Sequence, residues 1–293
     1  MPTAPADQLD ALRSACGVLA PARAVISVTG PAAEGFLQNL LTQDLAGLAD
    51  GETRRALLLT SKARVVADLR VTRLAPEQLL LDLDPVAADA LVAQLTRYRL
   101  ASKVAIEPAP AWTLISVIGP TAPAIVLPGT RIETLLGNVP RIDALVPTDE
   151  APAVLAAAEA AGAVLVEEAA VEALRVEVGE VRLGHDVDER WMPAEVGLVD
   201  AAVSFEKGCF IGQEPVTRLH RRGHANRGPR CLALAADVAP GTVLELDGKD
   251  VGVVTSVAGP PWLDAPRAIG IVRVEVPAGA ELTAGTTTAT TLS

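Results

Sequence analysis

The chain has 293 residues, half of them hydrophobic, and a formal net charge of −11. That length and apolar content support a large buried core and about two domains, while the acidic balance argues against a general nucleic-acid binder, which carries a basic face. Three scattered cysteines, Cys16, Cys209 and Cys231, with no CxxC pair among them make a poor disulfide framework and a poor zinc site, so reduced thiols in a cytoplasmic protein are expected.

The opening MPTAPADQLDALRSACG lacks the basic-then-apolar pattern of a secretory signal. No charge-free apolar run approaches the roughly 18 residues of a membrane span; Glu159, Glu167 and Glu168 interrupt the longest candidate. In chain order, short apolar runs bounded by Gly, Pro or charge predict strands at 24–28, 55–60, 65–72, 78–83, 112–118 and 163–166. Helical patterns fall between them at 31–40, 85–95, 151–161 and 169–178, and in the second of these Val86, Ala90, Leu91 and Leu95 lie near one face. The runs at 55–60 and 65–72 are joined by a turn too short for a crossover helix, which makes the class α+β and not doubly wound. Aromatic residues are 2% of the chain, so the core must be built from aliphatic layers.

After Arg230 the pattern becomes short strands with turns, at 232–235, 242–246, 251–258 and 268–274, with the hairpin signal DGKD at Asp247–Asp250. This predicts two domains, a core over 1–230 built from two interleaved α+β subdomains and a small β-barrel over 231–293. The closing TAGTTTATTLS is expected to be loose. The stretch from Arg175 to Arg230 holds seven of the 23 glycines and all three histidines. It reads as a long irregular polar segment, which inside a compact protein is functional or disordered.

Within it, Lys207–Arg230 carries six bases (Lys207, Arg218, Arg221, Arg222, Arg227, Arg230) against one acid, Glu214. A concentrated basic patch on an acidic chain suits a particular anion, a carboxylate or a phosphate, and Arg can hold a carboxylate bidentately. The plain alternative is a solvated surface loop; Gly208, Gly212 and Gly223 favour a ligand, because glycine lets backbone approach closely or take positive φ. Cys209 follows Lys207 with only Gly208 between, and a nearby ammonium lowers a thiol's pKa. A small buried residue is the equally weighted alternative for that cysteine.

The segment KGCFIGQE at Lys207–Glu214, with Val216 and Arg218 after it, closely resembles the signature of the YgfZ-type branch of the folate-binding aminomethyltransferase (GcvT-like) superfamily. LRVEVGEVRLGHDVDE (Leu174–Glu189) and PAEVGL (Pro193–Leu198) are similar to elements shared across that superfamily, as are 28–45 and 61–71. The resemblance implies three subdomains around a central channel that holds tetrahydrofolate or a one-carbon derivative. It implies Glu195 as the acceptor for the pterin N–H groups, a task that suits a carboxylate with two acceptor oxygens. It further implies Arg175, Gln213, Glu214 and Arg218 as folate contacts, with Arg218 and its basic neighbours on the glutamate tail. Cys209, Lys207 and Asp68 become the candidate chemical residues, and iron–sulfur enzymes or their assembly proteins the partners. No metal ligand set is expected, since one well-placed cysteine cannot hold a cluster.

The sequence departs from the aminomethyltransferases of glycine cleavage in its cysteine signature, which the equivalent loop of that branch lacks, and at a pair of carboxylates. Their paired Asp is represented by Ala67-Asp68, and the Gly-rich turn before it by Lys62-Ala63-Arg64. Three readings follow: a folate-dependent accessory protein for iron–sulfur enzymes, an active aminomethyltransferase of glycine cleavage, or a scaffold that keeps only the fold.

Overall fold

The computed structural model describes residues 4–100 and 102–292, the side chain of Arg222 excepted. Two compact units emerge, each assembled from separate stretches of chain: one from Ala22–Thr113 and Val187–His224, the other from residues up to Pro21, Leu114–Asp186 and the segment from Ala225.

The first unit is an antiparallel five-stranded sheet in the order Thr53–Leu59, Val65–Ala75, Gln78–Leu83, Ala24–Thr29, Ala105–Pro108. Leu57, Leu58, Leu59, Val65, Val66 and Ala67 are all buried in succession, so the sheet is covered on both faces and its strands read as continuous apolar runs without alternation. Helices Ala33–Leu40 and Ala88–Arg99 belong to this unit; the first buries Ala33, Phe36, Leu37 and Leu40 at helical spacing. One charge sits inside: Asp82 pairs across strands with Arg70, which it faces in register, and accepts from Arg23 as well. Burial pushes its carboxyl up, but Arg70 and Arg23 outweigh that and hold it below its ordinary value.

The second unit contains a five-stranded mixed sheet, in the order Val164–Leu165, Gly17–Leu19, Trp112–Ile118, Val139–Pro147, Thr130–Leu136. Helices Pro5–Ser14 and Glu168–Val178 join one core through Leu9, Leu12, Ala170, Ala173 and Leu174, and Trp262 packs against it. The same unit holds a closed barrel of Arg227–Leu234, Arg267–Arg273, Lys249–Ala258, Val243–Leu246, Glu281–Ala284 and Thr287–Thr291. Its interior is filled by small and branched residues (Leu232, Leu244, Val254, Ala268, Ala284, Ala289), and closure leaves no open sheet edge.

The α+β class and the C-terminal barrel agree with the sequence reading; the tail does not. TAGTTTATTLS is not loose through Leu292, Ser293 lying outside the described residues. Thr287–Thr291 pairs with both Glu281–Ala284 and Arg227–Leu234. The alternation of TTATT places Ala289 and Thr291 inward, and threonine suits a pleated strand. The 175–230 stretch is likewise more ordered than expected, since it contains the helix Gln213–Arg222. That helix, QEPVTRLHRR, has few apolar residues, and they lie on one narrow face: Val216 is buried and Leu219 half-buried. No helix among the described residues is long and apolar enough to cross a membrane.

Candidate functional site

The KGCF loop is held from beneath. The helix Ala33–Leu40 ends with carbonyls that have no partner within the helix, and the Lys207 ammonium fills that place. Its Nζ donates to the carbonyls of Gln38 (2.6 Å), Leu41 (2.6 Å) and Gln43 (3.0 Å), with 8% of the residue exposed. Burial lowers this lysine to about 8, against the opposing pull of Asp44. Phe210, the residue after Cys209, is buried, with Lys207 Nζ 5.5 Å from its ring centre. Thr42 ties the chain just before the loop: its Oγ1 donates to the Ala202 carbonyl at 2.6 Å, and its own carbonyl accepts from Ser204 N at 3.0 Å.

With Lys207 and Phe210 both turned inward, Gly208 and Cys209 face solvent. All three N–H bonds of the ammonium point at backbone carbonyls, so Lys207 acts on the shape of the loop that presents Cys209. Cys16 is buried and Cys231 half-buried, which leaves Cys209 as the exposed thiol. The loop then turns at Gly212, which has φ +79° and lies so close to the Thr60–Arg64 turn that a Cβ would stand 2.6 Å from the Thr60 carbonyl oxygen. Glycine is required there on both counts.

The helix Gln213–Arg222 starts at that glycine. Val216 is buried beneath it, while Glu214, Arg218, His220 and Arg221 are exposed and Gln213 is half-buried. Among the described residues Arg218 and Arg221 have no ion-pair partner, so the helix presents free cationic groups. The His220 ring stacks on Phe205 with centroids 3.9 Å apart and planes 14° apart, fastening the far end of the helix to the start of the loop.

The same helix packs against the turn Pro193–Val196, which carries Glu195. Oε2 of that carboxylate accepts from Met192 N at 2.9 Å and from Arg64 Nη1 at 3.3 Å. Arg64 also donates to the Arg190 carbonyl at 2.6 Å, and Val65 N donates to the Trp191 carbonyl at 3.1 Å. Glu195 is therefore fixed by one oxygen, while its Oε1 has no protein partner among the described residues; the side chain is 24% exposed. Trp191 is 9% exposed, and its indole N–H is one of two buried side-chain donors without an acceptor among the described residues. A fixed acceptor and an unsatisfied donor on one short segment fit a heterocycle that offers both kinds of group.

Asp68 lies further along the strand that begins at Val65, and faces Leu57 in register. Its two oxygens take a bidentate pair from Arg55, at 2.9 and 2.6 Å, with 14% of the side chain exposed. Cys209, Lys207, Asp68, Glu195, Gln213, Glu214 and Arg218 thus belong to one unit.

Arg175 belongs to the other. Its guanidinium donates to Glu172, Asp186, Ser256 and the Glu180 carbonyl, engaging all five N–H bonds. Burial opposes its charge, but Glu172 and Asp186 raise its pKa above the ordinary value. Asp186 in turn accepts from Thr255 on a barrel strand. With no donor left over, Arg175 ties its helix to the barrel and has nothing to offer a folate. Arg64, Arg55 and the Phe205–His220 stack are neighbours of the candidate residues that sequence reasoning missed; contacts such as Arg64 to Glu195 join distant parts of the chain, and no local pattern signals them.

Residues 3–140 match the family described as the GCVT N-terminal domain. An aminomethyltransferase of Chlorobium phaeobacteroides is 29% identical over 286 residues, covering 86% of this chain and 78% of that one. An uncharacterized protein of Haemophilus influenzae is 30% identical over 209 residues, covering 69% and 68%. Among solved structures, the glycine cleavage system aminomethyltransferase T of Bartonella henselae superimposes with a TM-score of 0.82 at 25% identity, over 99% of this chain and 88% of that one. The fold and these likenesses together define an aminomethyltransferase-type protein. The chain belongs to the GcvT-like superfamily.

Proposed function

We propose that this protein binds tetrahydrofolate, or a one-carbon form of it, at Glu195 and uses the exposed Cys209 to support iron–sulfur enzymes. The observation that carries the folate half is the state of Glu195: one carboxylate oxygen is fixed by Met192 N and Arg64, and the other is left to accept. A carboxylate held in this way needs no reorganisation to meet adjacent N–H donors, and pre-organisation strengthens binding. Arg218 and Arg221, without ion-pair partners among the described residues, supply charge for a polycarboxylate tail. Bound tetrahydrofolate would supply secondary amines able to accept or donate a one-carbon unit. The iron–sulfur half rests on the resemblance of KGCFIGQE to the YgfZ-type signature, supported by a loop whose Lys207 and Phe210 are buried so that Cys209 is outermost.

A second reading, tetrahydrofolate-dependent aminomethyl transfer, is favoured by the names of the relatives. Against it stands Asp68, whose carboxylate is clamped by Arg55 in a bidentate pair and lacks the second Asp that the resemblance would lead one to expect.

Calorimetric titration with tetrahydrofolate and its 5-formyl form, with Glu195→Ala beside the wild type, tests the first half. Micromolar binding that the variant loses is expected; no binding of either form would refute it. The second half is tested in cells lacking the protein, by restoring wild type, Cys209→Ser or Asp68→Ala and measuring iron–sulfur enzyme activity. Loss with the first variant and retention with the second is expected, whereas the reverse pattern would favour the transferase.

A further inference from the structure

Two buried side-chain donors have no acceptor among the described residues, Arg73 Nε and Trp191 Nε1. Arg73 is otherwise secured to Glu34 and to the Pro76 carbonyl, so one idle N–H is incidental to an anchored guanidinium. Trp191 is different, because the indole N–H is its sole side-chain polar group. Buried polar groups in native proteins are nearly always satisfied, and an exception requires a reason.

The surroundings of Trp191 supply one. On its N-terminal side, the Arg190 carbonyl accepts from Arg64; on its C-terminal side, Met192 N donates to Glu195 Oε2. Arg64 and Glu195 pair with each other, and the Trp191 carbonyl accepts from Val65 N. The Arg190 guanidinium lies 5.9 Å from the indole ring centre. Trp191 is thus fixed on both sides by the residues that fix Glu195.

We infer that the Trp191 indole N–H donates to the ring carbonyl beside the N–H groups that Glu195 accepts, and so selects a 4-oxo over a 4-amino pteridine. This rests on the folate reading above and goes beyond it by assigning a specificity residue. A 2-amino-4-oxopteridine presents an amine, a ring N–H and a carbonyl in sequence along one edge. A carboxylate can accept from the first two and can offer nothing to the third, whereas an indole can only donate. With a 4-amino analogue the indole N–H would face another donor and stay unsatisfied, a mismatch costlier than a missing contact.

The sequence has tryptophan at 112, 191 and 262 alone, so the ¹⁵N-labelled protein gives three indole N–H resonances. Trp191→Phe identifies the relevant one; should that variant fail to fold, Trp112→Phe and Trp262→Phe identify it by elimination. On adding tetrahydrofolate, the Trp191 resonance should move downfield and exchange more slowly. Trp191→Phe should bind 4-oxo folates about tenfold more weakly and 4-amino analogues almost unchanged, compressing the preference between them. If the wild type binds folate while the Trp191 resonance stays in place, or if the variant weakens both ligand classes equally, the inference falls and the folate reading stands. If no folate binds the wild type, both fall together.

Discussion

Replacing Lys207 by methionine keeps the length of the side chain and removes the charge that holds the Cys209 loop. Three backbone carbonyls, those of Gln38, Leu41 and Gln43, would lose their donor. Each buried acceptor left unsatisfied costs about 2 kcal/mol, or about 6 kcal/mol for the set. Against this stands relief from burying an ammonium, whose fall from 10.5 to about 8 corresponds to about 3 kcal/mol at full burial and nearer 2 for a head group that keeps some water. The net expectation is a loss of about 3–4 kcal/mol, large for a single change. The consequence should be concentrated where the lysine acts, at the end of the Ala33–Leu40 helix and in the loop. Urea unfolding measures the first effect, and timed reaction with a chromogenic disulfide reagent the second. The native protein should show one fast thiol, Cys209, and the variant should show a changed rate for that thiol with Cys16 still protected. A loss below about 0.5 kcal/mol together with an unchanged Cys209 rate would refute the argument that Lys207 shapes the loop.

Cys209→Ser should alter unfolding free energy by less than about 0.5 kcal/mol, the usual range for an exposed site, while removing the fast thiol and the in-cell role; a marked loss of stability would make Cys209 a packing residue. Arg218→Ala should weaken polyglutamylated folates more than the monoglutamate, measured by competition binding, and an equal loss for both would place this guanidinium away from the tail. Asp82 sets the acid limit of its unit: with its folded pKa below the unfolded one, the folded state binds fewer protons, so its stabilisation is full above the ordinary carboxylate value near 3.9 and is lost as pH falls through the lowered value. Asp82→Asn should cost about 3–5 kcal/mol at neutral pH, by leaving two arginines without their shared carboxylate, and should flatten the acid limb of a stability–pH profile; an unchanged limb would assign acid unfolding to other groups.

How much was legible depended on where the determinants lie. The strands of the first sheet were readable because both faces are buried, so their apolar runs stand out between turns; 78–83 matches at both boundaries, as does 112–118 in the second sheet. The hairpin Thr130–Leu136 with Val139–Pro147 escaped notice because Arg131, Glu133, Arg141 and Asp143 break its apolar pattern. Thr287–Thr291 escaped because threonine-rich text reads as a tail until a barrel needs its last strand. For the site, KGCFIGQE and PAEVGL drew attention to Cys209 and Glu195, and the two lie in one unit. What those segments hid was direction. Lys207 points inward and Cys209 outward, and only the carbonyls at the end of a distant helix decide that. Arg175 was misjudged for the same reason: an arginine in a shared motif is equally at home as a ligand contact or as a clamp, and its five engaged N–H bonds make it a clamp.

The departure at Lys62-Ala63-Arg64 acquires a meaning in three dimensions. Ala63 sits at φ +59°, a conformation that favours glycine and costs about 1 kcal/mol for a residue with a Cβ, so the turn keeps its glycine-like shape without the glycine. It is secured by Thr60, whose backbone N–H and Oγ1 both bond to Arg64. Three segments of the candidate site rest on this one turn. Gly212, at the end of the cysteine loop, packs on Thr60 and Ala63; Arg64 reaches Glu195; and Val65 N holds the Trp191 carbonyl. A displacement of the turn cannot leave any of the three in place, because close-packed contacts of this kind shift together. The thiol loop and the Glu195 segment therefore share one mechanical support, a few residues of backbone.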